Sequence, residues 1–262
     1  MNKHVQPRWL WIWLALFGLA VGRLHGQVVL NEILFNPPGS DLPNEYIELR
    51  GTPNYVLPEG TYLVAVEGDA ENNPGSIENV FDLSGRAIGG NGFLVLMQKT
   101  NFYAAHPAAT ILVNTNSGGG WGSGGSSSIG HRGDSGRTDL LNASVTFFLI
   151  RSPVVPGSEM DIDPADNGVL GGAATNWTIL DSIGVLDNTG AGDFAYGAVN
   201  YRRSGAPGNG AGASGVVVPV DFTPSYLGRA GHTTGSGALD WVACNNLKGA
   251  VPDWTLDDIA NT

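Results

Sequence analysis

Residues 28–51 read VVLNEILFNPPGSDLPNEYIELRG, and this stretch decides the fold class. Two short apolar runs flank a turn built on Asn36, Pro37 and Pro38. In the second run, Ile47 and Leu49 alternate with Tyr46 and Glu48, the period-two pattern of a strand with one buried face. Proline and glycine between such runs favour turns over helix continuation. The stretch therefore predicts strand, turn, strand.

Similar short runs recur at 61–67, 92–98, 110–113, 145–151, 177–185, 194–201, 216–222 and 238–243. The 39 Gly and 15 Pro punctuate them without a fixed period, which excludes collagen and fits an all-β chain. Only 101–109 and 254–260 have helical spacing, so these are the predicted helices. Residues 114–128 are too rich in Gly and Ser to pack and read as a loop, and 204–215 reads as a long connection or a linker.

The N-terminus sets the compartment. Lys3 and Arg8 precede an apolar run over 9–22, with small residues Ala20, Gly22 and Gly26 behind it. That order is a secretory leader, and the run is shorter than the roughly 20 residues of a membrane-spanning helix. The expected organisation is a leader over 1–26, a β-sandwich with insertions over 27–243 and a C-terminal tail over 244–262. The expected location is secreted or cell-surface, with no membrane span once the leader is removed.

The formal net charge is −11, and loss of Lys3, Arg8 and Arg23 with the leader makes the remainder more acidic. Such a surface repels phosphate backbones, so nucleic acid is not an expected partner. Cys244 is the single cysteine, which rules out a disulfide within the chain. Its apolar neighbours predict a buried, unreactive thiol.

The order of motifs resembles bacterial lamin tail domains. Asn31-Glu32-Ile33, Asn36-Pro37-Pro38 and Glu45-Tyr46-Ile47-Glu48-Leu49 match the opening of that family, with Tyr46 where Trp is commoner. Gly92 to Leu96, Thr146 to Leu149, Leu180 to Val185 and Tyr226-Leu227-Gly228-Arg229 follow in the family's order. The resemblance implies an immunoglobulin-like β-sandwich, exported and non-catalytic, in which long insertions at 114–139 and 153–176 depart from the compact pattern. The family has no catalytic residues to carry over.

Several groups could carry chemistry. In MDIDPADNG, 160–168, Asp161, Asp163, Asp166 and Asn167 precede Gly168. Clustered oxygens on a turn suit Ca²⁺, so a weak calcium site at Asp161, Asp163 and Asn167 is expected. The EF-hand register fails, because counting from Asp163 puts Ala174 where the closing Glu belongs. The alternative is a solvated acidic turn. Glu32, Asp41, Glu45 and Glu48 surround the first turn and could converge for acid–base work or simply guard a sheet edge. His106, His131 and His232 have no metal-ligand spacing. Residues 131–135, HRGDS, contain an Arg-Gly-Asp string that a Gly-rich loop produces by chance. Asn142 and Asn176 head glycosylation-type triplets. Trp121, inside the Gly-rich loop, is a candidate for stacking on a sugar or peptide.

No Gly-x-Ser-x-Gly elbow or spaced His–carboxylate set is present. The reading is a secreted or cell-surface binding or structural module, not an enzyme, with an extracellular protein or glycan as partner. The rival reading is a secreted metal-dependent hydrolase, or an accessory module of one, with the acidic clusters as ligands.

Overall fold

The computed structural model describes residues 28–116, 119–122, 129–130, 139–158, 160–187, 192–205, 210–211 and 215–260. The expected leader and the HRGDS string, with His131, lie outside these residues.

The strands in chain order are β1 (Val28–Leu34), β2 (Tyr46–Gly51), β3 (Thr61–Glu67), β4 (Ile77–Asp82), β5 (Phe93–Met97), β6 (Thr110–Val113), β7 (Val145–Arg151) and β8 (Thr178–Leu186). They continue as β9 (Phe194–Ala195), β10 (Val199–Arg203), β11 (Gly210–Ala211), β12 (Val216–Val220), β13 (Tyr226–Arg229), β14 (Trp241–Ala250) and β15 (Asp253–Ala260). One sheet has the order β15-β14-β13-β1-β2-β5-β6, a second β12-β10-β8-β7-β3-β4, and a small third sheet pairs β11 with β9.

The first two strands form as their pattern requires. Core-facing residues run Val28, Leu30 and then Ile33, because a bulge between Leu30 and Glu32 shifts the β1 alternation by one residue. After the bulge, Ile33 pairs with Ile47, and Glu32 pairs with Glu48 on the opposite face. Leu49, Leu94 and Leu227 from the first sheet meet Leu63, Phe147 and Ile183 from the second in one shared core. Phe35 and Phe147 touch across it, ring centroids 5.9 Å apart. Each such buried side chain contributes about 1.5–3 kcal/mol by leaving water. Arg229 of β13 locks the sheets together: its guanidinium pairs with Asp181 of β8, donates to the Leu30 carbonyl at 3.0 Å and lies 4.0 Å over the Trp241 ring.

The immunoglobulin-like sandwich expected from the sequence is not what forms. Such sandwiches are antiparallel Greek keys, whereas here β5·β6, β8·β10, β10·β12 and β9·β11 are parallel. From 178 to 220 the chain winds as a β-solenoid. β8, β10 and β12 stack in one sheet, and the intervening β9 and β11 stack in another. β12 is the edge strand, and it carries Pro219, which has no N–H to donate. The chain is all-β, as composition indicated, but its sheets are mixed and its architecture is not that of a lamin tail.

Both predicted helices are absent: 254–260 lies in β15, and 101–109 is irregular. The insertion over 153–176 is a cover, with Ile162 and Leu170 packed on the outer face of the second sheet beside Val64, Phe148 and Ile150. This is why β3 is buried along its whole length. Cys244 is buried on the outer side of the first sheet, near Leu34 and Tyr226. Among the described residues, no helix is long and apolar enough to cross a membrane.

Candidate metal centre

Three segments meet at one end of the second sheet. The antiparallel ladders place the C-terminal end of β3 beside the start of β7, and the start of β7 beside the C-terminal end of β8. Gly68 follows β3 and is pinched between two neighbours. Its N–H donates to the Ser144 carbonyl at 2.8 Å, and its own carbonyl accepts the Phe194 N–H at 2.8 Å. A Cβ at Gly68 would lie 2.3 Å from the Phe194 carbonyl oxygen, so only glycine lets these chains approach so closely. The pinch brings Asp69, Asp187 and Asp193 together, each one residue beyond the turn glycine or strand end that positions it.

One carboxylate oxygen from each of these aspartates lies within 4.8 Å of the others. Asp193 is buried; Asp69 and Asp187 are half-buried. Ser144 stands between them. Its Oγ is 2.8 Å from Asp187 Oδ1 and 3.1 Å from Asp193 Oδ2, while the Asp187 N–H donates to it at 3.2 Å. A hydroxyl has a single proton to give. It serves one of the two carboxylates, and the other faces an oxygen lone pair. Asp69 accepts the Ser144 N–H at 3.2 Å, and Asp193 accepts the Ala70 N–H at 3.1 Å.

The electrostatics follow. Burial raises the Asp69 pKa above the usual carboxylate range, and the charges of Asp187 and Asp193 raise it further, against the Ser144 hydrogen bonds. Burial likewise raises Asp187, with the Ser144 hydroxyl opposing and Asp193 adding to the rise. Neighbouring Glu67 is pushed up to about 7, first by burial, although it accepts the N–H groups of Gly68 and Asp69 at 2.9 Å. No Lys, Arg or His enters the interactions that shift these groups. An all-carboxylate set of this kind suits hard cations such as Ca²⁺, Mg²⁺ or Mn²⁺.

The residues singled out from the sequence lie elsewhere. Asp161, Asp163 and Asn167 share one turn, where their oxygens act as hydrogen-bond acceptors. Asp163 accepts the N–H groups of Asn167 and Gly168 and the Tyr196 hydroxyl, at 2.7 to 3.2 Å. Asp161 accepts the Asp163 N–H at 2.6 Å, and Asn167 that of Val169 at 3.0 Å. The four acids of the first turn do not converge. Glu32 and Glu48 face each other on the outer side of the first sheet, Asp41 accepts Asn142 Nδ2 at 2.8 Å, and Glu45 is fully buried. Glu45 takes the Trp121 indole N–H at 2.8 Å, Gln98 Nε2 at 2.7 Å and the Leu140 N–H at 2.9 Å. Trp121 is thus a core residue, edge-on to Phe81 at 5.0 Å, and not a surface platform for a sugar or peptide. His232 sits against Arg50, and His106 is exposed.

Sequence reading missed Asp69, Asp187 and Asp193. The available signal was an Asp just past each of two predicted strands, at 69 and 187; the pairing that unites them is non-local.

Comparison with known proteins adds no relative: no family model matches the chain, and neither a curated protein nor a solved structure matches it. The lamin-tail resemblance therefore rests on short motifs alone, and the parallel, solenoid-bearing sheets overturn it. The non-catalytic module that it implied is corrected with it, since the carboxylate group gives the chain a candidate metal site.

Proposed function

We propose that Asp69, Asp187 and Asp193 hold a hard divalent cation, and that the protein is a cation-dependent hydrolase acting at this centre. The observation that carries the reading is the meeting of three carboxylate oxygens within 4.8 Å, with one hydroxyl proton contested between two of the carboxylates. A cation there offsets the mutual repulsion and gives the uncompensated oxygen a partner. Asp69, Asp187 and Asp193 would hold the cation, which would supply Lewis acidity and a more acidic bound water when present. The expected leader supports an extracellular setting, where weak Ca²⁺ sites are filled at millimolar concentration.

The test has two parts. Thermal unfolding should shift upward in millimolar Ca²⁺ or Mg²⁺ relative to chelator, since a ligand bound only by the folded state stabilises it. Asp187→Asn with Asp193→Asn should abolish the shift. Chromogenic phosphodiester, ester and glycoside substrates should then show turnover that chelator removes. Identical melting with cation and with chelator overturns the centre; a shift without turnover on any substrate class overturns the hydrolase.

A further inference from the structure

A second feature lies on the outer face of the first sheet, away from the aspartates. A groove of about 510 Å³ opens there, with Glu32, Tyr46, Glu48, Phe93, Tyr103 and Trp254 among its lining. Its volume falls in the range of small-molecule sites, which are apolar with a few convergent polar groups.

The floor carries an electrostatic conflict. Glu32 and Glu48 are direct cross-strand partners in the β1·β2 ladder, an arrangement that is unfavourable for like charges. The polar groups around them only partly compensate. Tyr46 donates to Glu32 at 2.9 Å, Tyr226 also hydrogen-bonds Glu32, and Asn31 Nδ2 donates to Glu48 at 2.6 Å. Arg50, the cation that acts on Glu48, is committed elsewhere: its guanidinium donates to the carbonyls of Gly231 and Thr233 and lies against His232.

The walls are aromatic and fixed. Tyr103 meets Tyr46 edge-on at 5.3 Å, and its hydroxyl accepts the Trp254 indole N–H at 3.2 Å. Trp254 is braced by Tyr226 at 5.8 Å. Aromatic faces attract cations through their quadrupoles, above all when the site is partly desolvated.

We infer that this groove binds a small alkylammonium ligand, with its charged head on Glu32 and Glu48 and its alkyl part against Tyr103 and Trp254. A neutral sugar would use the aromatic faces but would leave the paired carboxylates uncompensated. The groove thus favours the cation by charge complementarity. Burial and the Glu32 charge push Glu48 up to about 7, so it holds a proton at low pH and must release it to receive the cation. The titratable and charged groups around it are Glu32 on β1, Tyr46 and Arg50 on β2, Tyr226 on β13, and Tyr103 and His106 on the loop after β5.

Calorimetry on the full chain, with 1,5-diaminopentane against 1,5-pentanediol and methyl glucoside, tests the inference. The diamine should bind at about pH 8 and bind about thirtyfold more weakly at about pH 5.5, as expected for release of one proton near pH 7. The diol and the glucoside should not bind. Glu48→Gln should weaken the diamine at pH 8 and flatten the pH dependence, while Glu59→Gln, at an exposed carboxylate outside the groove, should leave both unchanged. Trp254→Phe, which keeps an aromatic wall, should retain binding if Glu48→Gln proves unfolded by melting. Absence of diamine binding, equal binding of the diol, or binding of the glucoside alone overturns the inference.

Discussion

Glu45 and the Asp69, Asp187, Asp193 group offer a comparison between two buried or half-buried acidic regions next to strand ends. Around Glu45 donors are plentiful: an indole N–H, an amide and a backbone N–H converge on a single carboxyl. Around the aspartates the balance reverses, and Ser144 offers one hydroxyl proton to two carboxylates. Burial raises the pKa of Glu45 as it raises those of Asp69 and Asp187. The pKa direction therefore does not distinguish a structural hub from a cation site. The count of available hydrogen-bond donors does.

Deletion of the Glu45 hub has the largest expected effect. Glu45→Ala leaves the Trp121, Gln98 and Leu140 donors buried without an acceptor, and should cost about 3–5 kcal/mol. Urea denaturation measures it, and the loss should be the same with and without Ca²⁺. Asp187→Asn should act in the opposite direction. In chelator it removes one of the crowded charges and should raise stability by about 0.5–1 kcal/mol, while it abolishes any gain from Ca²⁺. A loss like that of Glu45→Ala would make the aspartates a structural hub as well.

A third effect is in pH. Glu67 and Glu48 are pushed up to about 7, and Asp69 and Asp187 are also raised. The native state therefore binds more protons than the unfolded chain between the ordinary carboxylate pKa and about 7. Stability from these groups is present at the acid end of that window and is lost as pH rises through it. In chelator the melting temperature should fall by a few degrees from about pH 4.5 to about pH 7. Saturating Ca²⁺ should remove the part due to Asp69 and Asp187.

Much of the strand content is legible because alternation is local. Ile47 and Leu49 against Tyr46 and Glu48 suffice to place β2. The failures are where distant pairing decides. Residues 254–260 have a helical rhythm, yet β14 recruits them into a ladder of one continuous register, even though Asp258 sits at φ 47. Trp121 sits in a Gly-rich stretch that reads as unpackable, and only the buried Glu45, far away in sequence, shows why it turns inward. Parallel pairing of β8, β10 and β12 leaves no mark in any one strand, so a run of short β segments reads equally well as an antiparallel sandwich. The aspartates at 69, 187 and 193 become neighbours through the antiparallel β3·β7·β8 ladders and the Gly68–Phe194 contact, pairings that no single segment announces.

Pro219 has a consequence for how the molecule ends. In β12 the N–H of Val216 points inward, to the Ala198 carbonyl, so the alternation turns residues 217 and 219 outward. An outward row of donors on a parallel strand is a template on which another chain, or another copy of this one, can continue the winding. Proline at 219 leaves a gap in that row. The stacked turns thus end on a strand that offers a poorer edge to any chain that would continue them.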